Sequence, residues 1–128
     1  MRENEKFRVG VLNSLIQKID ALLKSNLSIE DLSNITGYSR WYLQRIFKQH
    51  FGISPGTYIR KRRVEKAAYA ITHEHNRIID VVIDYNFSSQ ASFCRTFKSI
   101  FGVPPTYYKS KEIKRNQKKS KKIKKLNH

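Results

Sequence analysis

Apolar residues at Leu12, Leu15, Ile16, Ile19, Leu22 and Leu23 recur at intervals of three and four. This predicts an amphipathic helix over Phe7 to Lys24 that closes one side of a small core, behind a frayed polar start at residues 1 to 6. Ser25 and Asn26 interrupt the pattern. Ser28, with Asp31 three positions on, has the form of a capping box and opens a second, short helix whose buried side is Leu32 and Ile35. At Thr36, Gly37, Tyr38 the chain turns, and glycine is the residue that takes positive φ there without Cβ strain. Ser39 caps the next helix, with Leu43, Ile46, Phe47 and His50 toward one side and Arg40, Trp41, Gln44, Arg45 and Lys48 toward another.

Phe51, Gly52, Ile53, Ser54, Pro55 ends that helix and starts a longer one, since proline at a first helical turn lacks only a donor that would go unpaired. From Gly56 to about Thr72 the pattern carries Tyr58, Ile59, Ala67, Ala68 and Ile71 among many cations. Such a helix spans about 26 Å at about 1.5 Å per residue, near the spacing of successive major grooves of about 34 Å. His73 to Arg77 is a polar connector. The run Ile78, Ile79, Val81, Val82, Ile83 is β-branched enough to favour a strand by propensity. Its place, mirroring Ile29 to Ile35 ahead of another turn and capped helix, predicts a helix instead, with a short buried strand as the alternative. Asn86 takes the turn, and Ser88 or Ser89 caps a helix with Phe93, Phe97 and Ile100 inward and Gln90, Ala91, Cys94, Arg95 and Lys98 outward. Pro105 opens a last short helix through Tyr108. The predicted fold is all-α, with about seven helices in two helix-turn-helix subdomains joined by a long central helix. Residues 1–54 form the first subdomain, 55–73 the linker helix and 74–108 the second subdomain; 109–128 is a basic tail expected to be disordered, because its lysines repel and apolar residues are few.

Charge narrows the partners. The 128 residues carry 26 Lys and Arg against 10 Asp and Glu, a formal +16. Ten of the cations lie between Lys109 and Lys125 with Glu112 as the one acid, and the remainder still holds a net +7. A basic body and a more basic tail favour a polyanion, with nucleic acid ahead of an anionic membrane surface. The single Cys94 excludes an internal disulfide and a cysteine-based zinc site, and fits a reducing compartment. No stretch approaches the roughly 20 apolar residues of a membrane span, and the N-terminus has no signal-type apolar region. His50, His73, His75 and His128 form no recognised metal motif. No phosphate-cradling glycine loop and no acid-base pair are legible, so no catalytic residue, cofactor or metal is expected.

An internal repeat ties the pattern together. At an offset of fifty, Ser39, Arg45, Phe47, Lys48, Phe51, Gly52, Pro55 and Tyr58 correspond to Ser89, Arg95, Phe97, Lys98, Phe101, Gly102, Pro105 and Tyr108. Cap, core, exposed charge and terminator repeat as a set; upstream the register slips by one, so that Gly37 faces Asn86. The stretches Gly37 to Lys48, Tyr58 to Arg63, Ser89 to Lys98 and Phe101 to Pro105 resemble the DNA-binding region of the AraC/XylS (arabinose-regulator) family of bacterial transcription factors. The resemblance covers about residues 8 to 108 and is nearest to the small stand-alone activators of multidrug, superoxide and solvent resistance. It implies a monomer without a small-molecule effector domain, acting in the bacterial cytoplasm at the nucleoid, that binds double-stranded promoter DNA and activates by contacting RNA polymerase. It places base reading at Trp41, Gln44, Arg45, Gln90, Ser92 and Arg95, with Ala91 and Cys94 facing the same groove. Asn86 in place of the family's usual glycine, Arg77 for a frequent proline, Val82 for a small alanine and the lysine-rich extension depart from the family pattern.

The residue types suit those roles. Arginine matches guanine O6 and N7 with two parallel bonds, glutamine matches adenine, and an indole offers one donor and a broad apolar face for sugar or thymine methyl. Arg40, Lys48, Arg60, Lys61, Arg62, Arg63 and Lys98 are candidates for the phosphate backbone, where contacts set registry without choosing sequence. The tail lysines are expected to add nonspecific affinity and salt sensitivity. Two competing functions remain open at this level: a nonspecific structural DNA-binding protein dominated by electrostatics, and an adaptor that binds RNA polymerase before promoter recognition.

Overall fold

Why the β-branched run becomes a helix is visible in what it covers. The computed structural model describes residues 4–126, and among them the chain forms helices and no strand. The order is α1 (Glu5–Ala21), α2 (Ile29–Thr36), α3 (Arg40–Phe51), α4 (Pro55–His73), α5 (Ile78–Asp84), α6 (Gln90–Phe101) and α7 (Pro105–Leu126). Within α5, Val81 and Val82 are buried, as is Tyr85 just beyond, while Ile79 and Ile83 are exposed, so burial of one face overrides propensity. The chain divides into two compact units, one ending at Arg63 and the other beginning at Val64, with the boundary inside α4. The helix expected to link the two subdomains therefore contributes residues to each unit.

In the first unit Leu12, Leu15 and Ile19 of α1, Leu23, Leu32 of α2, Leu43, Ile46 and Phe47 of α3 and Ile59 of α4 are buried together. Phe47 packs against the rings of Phe51, at 4.6 Å, and Tyr58, at 5.8 Å, which are 6.4 Å from each other. Helix α1 begins earlier than its hydrophobic pattern, because the Asn4 side chain accepts from the Lys6 backbone N–H; residues 1–3 of the expected frayed start lie outside the described residues. It also ends earlier, at Ala21, leaving Leu22 40% exposed. Ile35, expected inside, is 38% exposed, and His50 is exposed against the Phe51 ring at 4.7 Å. Both sit at the rim of the apolar stripe, where Leu32 and Phe47 already fill the interior. The capping box is complete: Asp31 N–H donates to Ser28 Oγ at 3.2 Å and Ser28 N–H to Asp31 Oδ2 at 2.9 Å.

In the second unit Val64, Ala67, Ala68, Ala70 and Ile71 of α4 meet Val81, Val82, Tyr85, Phe93 and Phe97 in the core. Phe97 lies 4.6 Å from Phe101 and 5.3 Å from Tyr108, the counterpart of the Phe47, Phe51, Tyr58 cluster. The expectation of a disordered tail after Lys109 is corrected: α7 runs on to Leu126, and residues 127–128 lie outside the description. Lysine and arginine are good helix formers, Arg115 pairs with Glu112 one turn back at 3.6 Å, and half-buried Ile113 gives the extension an apolar contact.

Candidate nucleic-acid interface

Each unit builds one exposed helix in the same way. Ser39 accepts from Tyr42 N–H at 3.2 Å to start α3, and Ser89 accepts from Ser92 N–H at 3.0 Å to start α6. Both helices stop at a left-handed glycine, Gly52 at φ 81° and Gly102 at φ 78°, whose N–H donates to Lys48 or Lys98 carbonyl oxygen at 2.8 Å. The turn before α3 has Gly37 at φ 80°, and the turn before α6 uses Asn86 at φ 60°, the one-residue slip expected from the sequence. Cap, terminator and buried phenylalanines thus hold each helix by one face and leave the opposite face free.

On α3 the free face carries Arg40, Trp41, Gln44, Arg45 and Lys48, all exposed. Trp41 is 70% exposed, which removes packing as its main role. The Arg45 guanidinium carbon stands 5.5 Å from the centre of the Trp41 ring, close enough for a cation–π contact that holds the two side chains side by side. Gln44 is exposed but borders an open hollow of about 270 Å³ shared with Leu32, Pro55 and Ile59, so it sits at the margin of the face. On α6, Gln90, Ala91, Arg95 and Lys98 are exposed, while Ser92 and Cys94 are half-buried. Ser92 is also held by its own helix, its N–H on Ser89 Oγ and its carbonyl accepting from Thr96 Oγ1 at 3.0 Å. Neither helix contains an acidic residue, so nothing on these faces competes for the guanidinium groups.

The cations of α4 divide. Arg60 and Lys61 are exposed, with Arg60 Nη2 donating to Thr57 Oγ1 at 3.3 Å. Arg62 and Arg63 are half-buried and bound inside the first unit. Arg62 Nε pairs with Asp20 at 3.0 Å, beside the Tyr58 hydroxyl that donates to the same carboxylate at 3.3 Å. Arg63 donates from Nε to Leu23 oxygen at 3.0 Å and from Nη2 to Ser25 oxygen at 2.7 Å, tying down the turn that follows α1, where the Ser25 oxygen also accepts from Leu27 N–H at 3.1 Å. Burial holds the Arg63 guanidinium below its ordinary pKa. The structure thus assigns these two residues a folding role that run-of-charge reasoning did not separate from phosphate contact. Among the described residues no group of three His, Cys, Asp or Glu is placed to hold a metal ion, and no helix is long and apolar enough to cross a membrane.

Comparison with known proteins decides the family. Residues 32–111 match the family described as Helix-turn-helix domain. The chain is 40% identical over 98 residues to the multiple antibiotic resistance protein MarA of Salmonella typhimurium, covering 77% of each chain. It is 33% identical over 108 residues to the HTH-type transcriptional activator AarP of Providencia stuartii, covering 84% of this chain and 80% of AarP. The chain belongs to the AraC/XylS family. In fold it is similar to an AraC-type DNA-binding-domain regulator from Chromobacterium violaceum, with a TM-score of 0.77 at 24% identity over 84% of this chain and 96% of that one. Members of the AraC/XylS family are DNA-binding transcription regulators and not enzymes, and α3 and α6 are the second helices of this chain's two helix-turn-helix units.

Proposed function

We propose that this AraC/XylS protein acts as a monomeric, sequence-specific activator of stress or multidrug resistance genes at the bacterial nucleoid. In this reading it inserts α3 and α6 into successive major grooves of promoter DNA and recruits RNA polymerase. The observation that carries it is the repeated free face: Arg45 and Arg95 stand at the same turn of two helices with the same cap, core and terminator, on surfaces without carboxylates. An arginine so placed suits the bidentate recognition of guanine, and the neighbouring Trp41 suits sugar or thymine methyl. Differences between the faces, Trp41 against Ala91 and Gln44 against Cys94, suit an asymmetric site. The similarity to MarA and AarP supports activation and resistance genes as the output. Arg40, Lys48, Arg60, Lys61 and Lys98, all exposed, supply phosphate contacts that fix registry.

Selection of binding sequences from random duplex DNA tests this directly. The expected product is an asymmetric motif with two half-elements about one helical turn apart. Arg45→Ala and Arg95→Ala should each cost about 1 to 3 kcal/mol of discrimination between the selected duplex and a scrambled one, with smaller effects on the scrambled duplex. Equal binding to both duplexes by the unsubstituted chain would leave an electrostatic DNA-coating protein instead.

A further inference from the structure

The C-terminal helix carries two interleaved rows. Lys109, Glu112, Ile113 and Asn116, at positions i, i+3, i+4 and i+7, are all half-buried. Lys111, Lys114, Arg115 and Lys118 have the same spacing two residues later, and all are exposed. A shift of two residues is about 200° around an α-helix, so the rows occupy opposite faces. The inner row docks α7 on the second unit. Lys109 Nζ donates to Asn76 oxygen at 3.4 Å, and a hollow of about 440 Å³ lies between Ile113 and Asn116 on one side and Thr72, His73 and His75 on the other. Just ahead of it, Tyr108 packs 4.7 Å from Phe101.

The outer row has almost no counter-charge. Glu112, reached by Arg115 at 3.6 Å, is the one acid on the helix, and Lys111 stands 5.2 Å over the exposed Tyr107 ring. Lys114 and Lys118 have no ion-pair partner among the described residues. Four cations within about 10 Å of helix face a partner of high linear charge density, and duplex DNA carries one charge per about 1.7 Å of axis. A lipid surface needs an amphipathic helix with its apolar side free, whereas here that side, Tyr108 and Ile113, is turned into the second unit. We infer that the Lys111, Lys114, Arg115, Lys118 row is a third, sequence-independent DNA contact, a helical phosphate clamp on duplex flanking the site read by α3 and α6.

This inference rests on the DNA-binding function of the family and adds a surface to it. Two full-length variants test it. The first, Lys111→Gln/Lys114→Gln/Arg115→Gln/Lys118→Gln, empties the row. The second, Lys114→Gln/Lys118→Gln/Gln117→Lys/Ser120→Lys, keeps net charge and moves two cations off the outer face. Circular dichroism confirms that each keeps its helix, and, because Gln117 and Ser120 border the same hollow as Ile113 and Asn116, hydrogen-exchange protection of the α7 amides confirms that the second variant stays docked. Titration of selected and scrambled duplexes across salt concentration should give a log K against log salt slope shallower by about 3 to 4 for the first variant and by about 2 for the second, equally for both duplexes. Preference for the selected duplex should be unchanged. A shuffled variant with the full slope would overturn the clamp in favour of a diffuse charge cloud. So would unaltered slopes in both variants, accompanied by lost binding to phosphatidylserine vesicles or to purified RNA polymerase. In each of those outcomes the wild-type preference for the selected duplex persists; its absence would instead remove the DNA reading itself, and the clamp with it.

Discussion

Two residues in left-handed conformation show how the repeat tolerates different chemistry at one geometric task. Gly102 ends α6 at φ 78°, and a Cβ there would meet nothing within 4 Å, so the obstacle to substitution is backbone strain alone. Gly102→Ala should therefore lower stability by about 1 to 2 kcal/mol with no loss of packing, read as a shifted urea midpoint at unchanged m-value. Asn86, at φ 60°, does the same work before α6 with a side chain that tolerates this region. Asn86→Val should be strongly destabilising in that denaturation experiment, because a β-branched side chain is strained at φ 60°. The glycine positions were legible because glycine after an amphipathic run has few other uses. The roles of Arg62 and Arg63 were not, since a run of four cations in sequence says nothing about which guanidinium meets Asp20 or the end of α1.

At the scale of single elements, α2 offers a titratable test. The Ser28 backbone N–H and hydroxyl both donate to Asp31, holding its carboxyl below the ordinary value of 3.8. A depressed carboxylate stabilises the fold above its unfolded pKa and loses that contribution as pH falls through the folded one. The stability difference between wild type and Asp31→Asn should accordingly hold at neutral pH and shrink only in acid below 3.8, measured as thermal midpoints at stepped pH. Ser28→Ala should cost about 1 kcal/mol at neutral pH by the same assay. Elements whose period and caps agree were legible, α3 to the residue and α6 to within the choice of Ser88 or Ser89 as its cap. Helix α5 was legible only through the repeat, because its local propensity pointed to a strand. Helix α7 was hidden by composition: counting lysines predicted repulsion and disorder, whereas their spacing of three and four was the informative property. Ile35 and His50 were placed inside because a helical wheel marks a face without marking its rim.

Across the whole molecule, the two cores are built around Phe47 and Phe97, each 0% exposed and each ringed by a following phenylalanine and tyrosine. Phe47→Ala and Phe97→Ala should each cost about 3 to 5 kcal/mol. Hydrogen exchange should register the loss first among amides of the unit that carries the substitution, because the boundary at Arg63 gives each core its own part of α4. Loss of protection spread evenly over both units would show that they unfold as one. The same separation of buried scaffold from free face reaches further. Leaving aside the half-buried pair Tyr42 and Ser92, the outward rows of α3 and α6 already share Arg45 with Arg95 and Lys48 with Lys98, and differ at three positions. Gln90→Arg, Ala91→Trp and Cys94→Gln would make them alike without touching a fully buried residue. If α3 and α6 read bases as proposed, such a protein should select one word twice, where the unsubstituted chain selects two unlike ones.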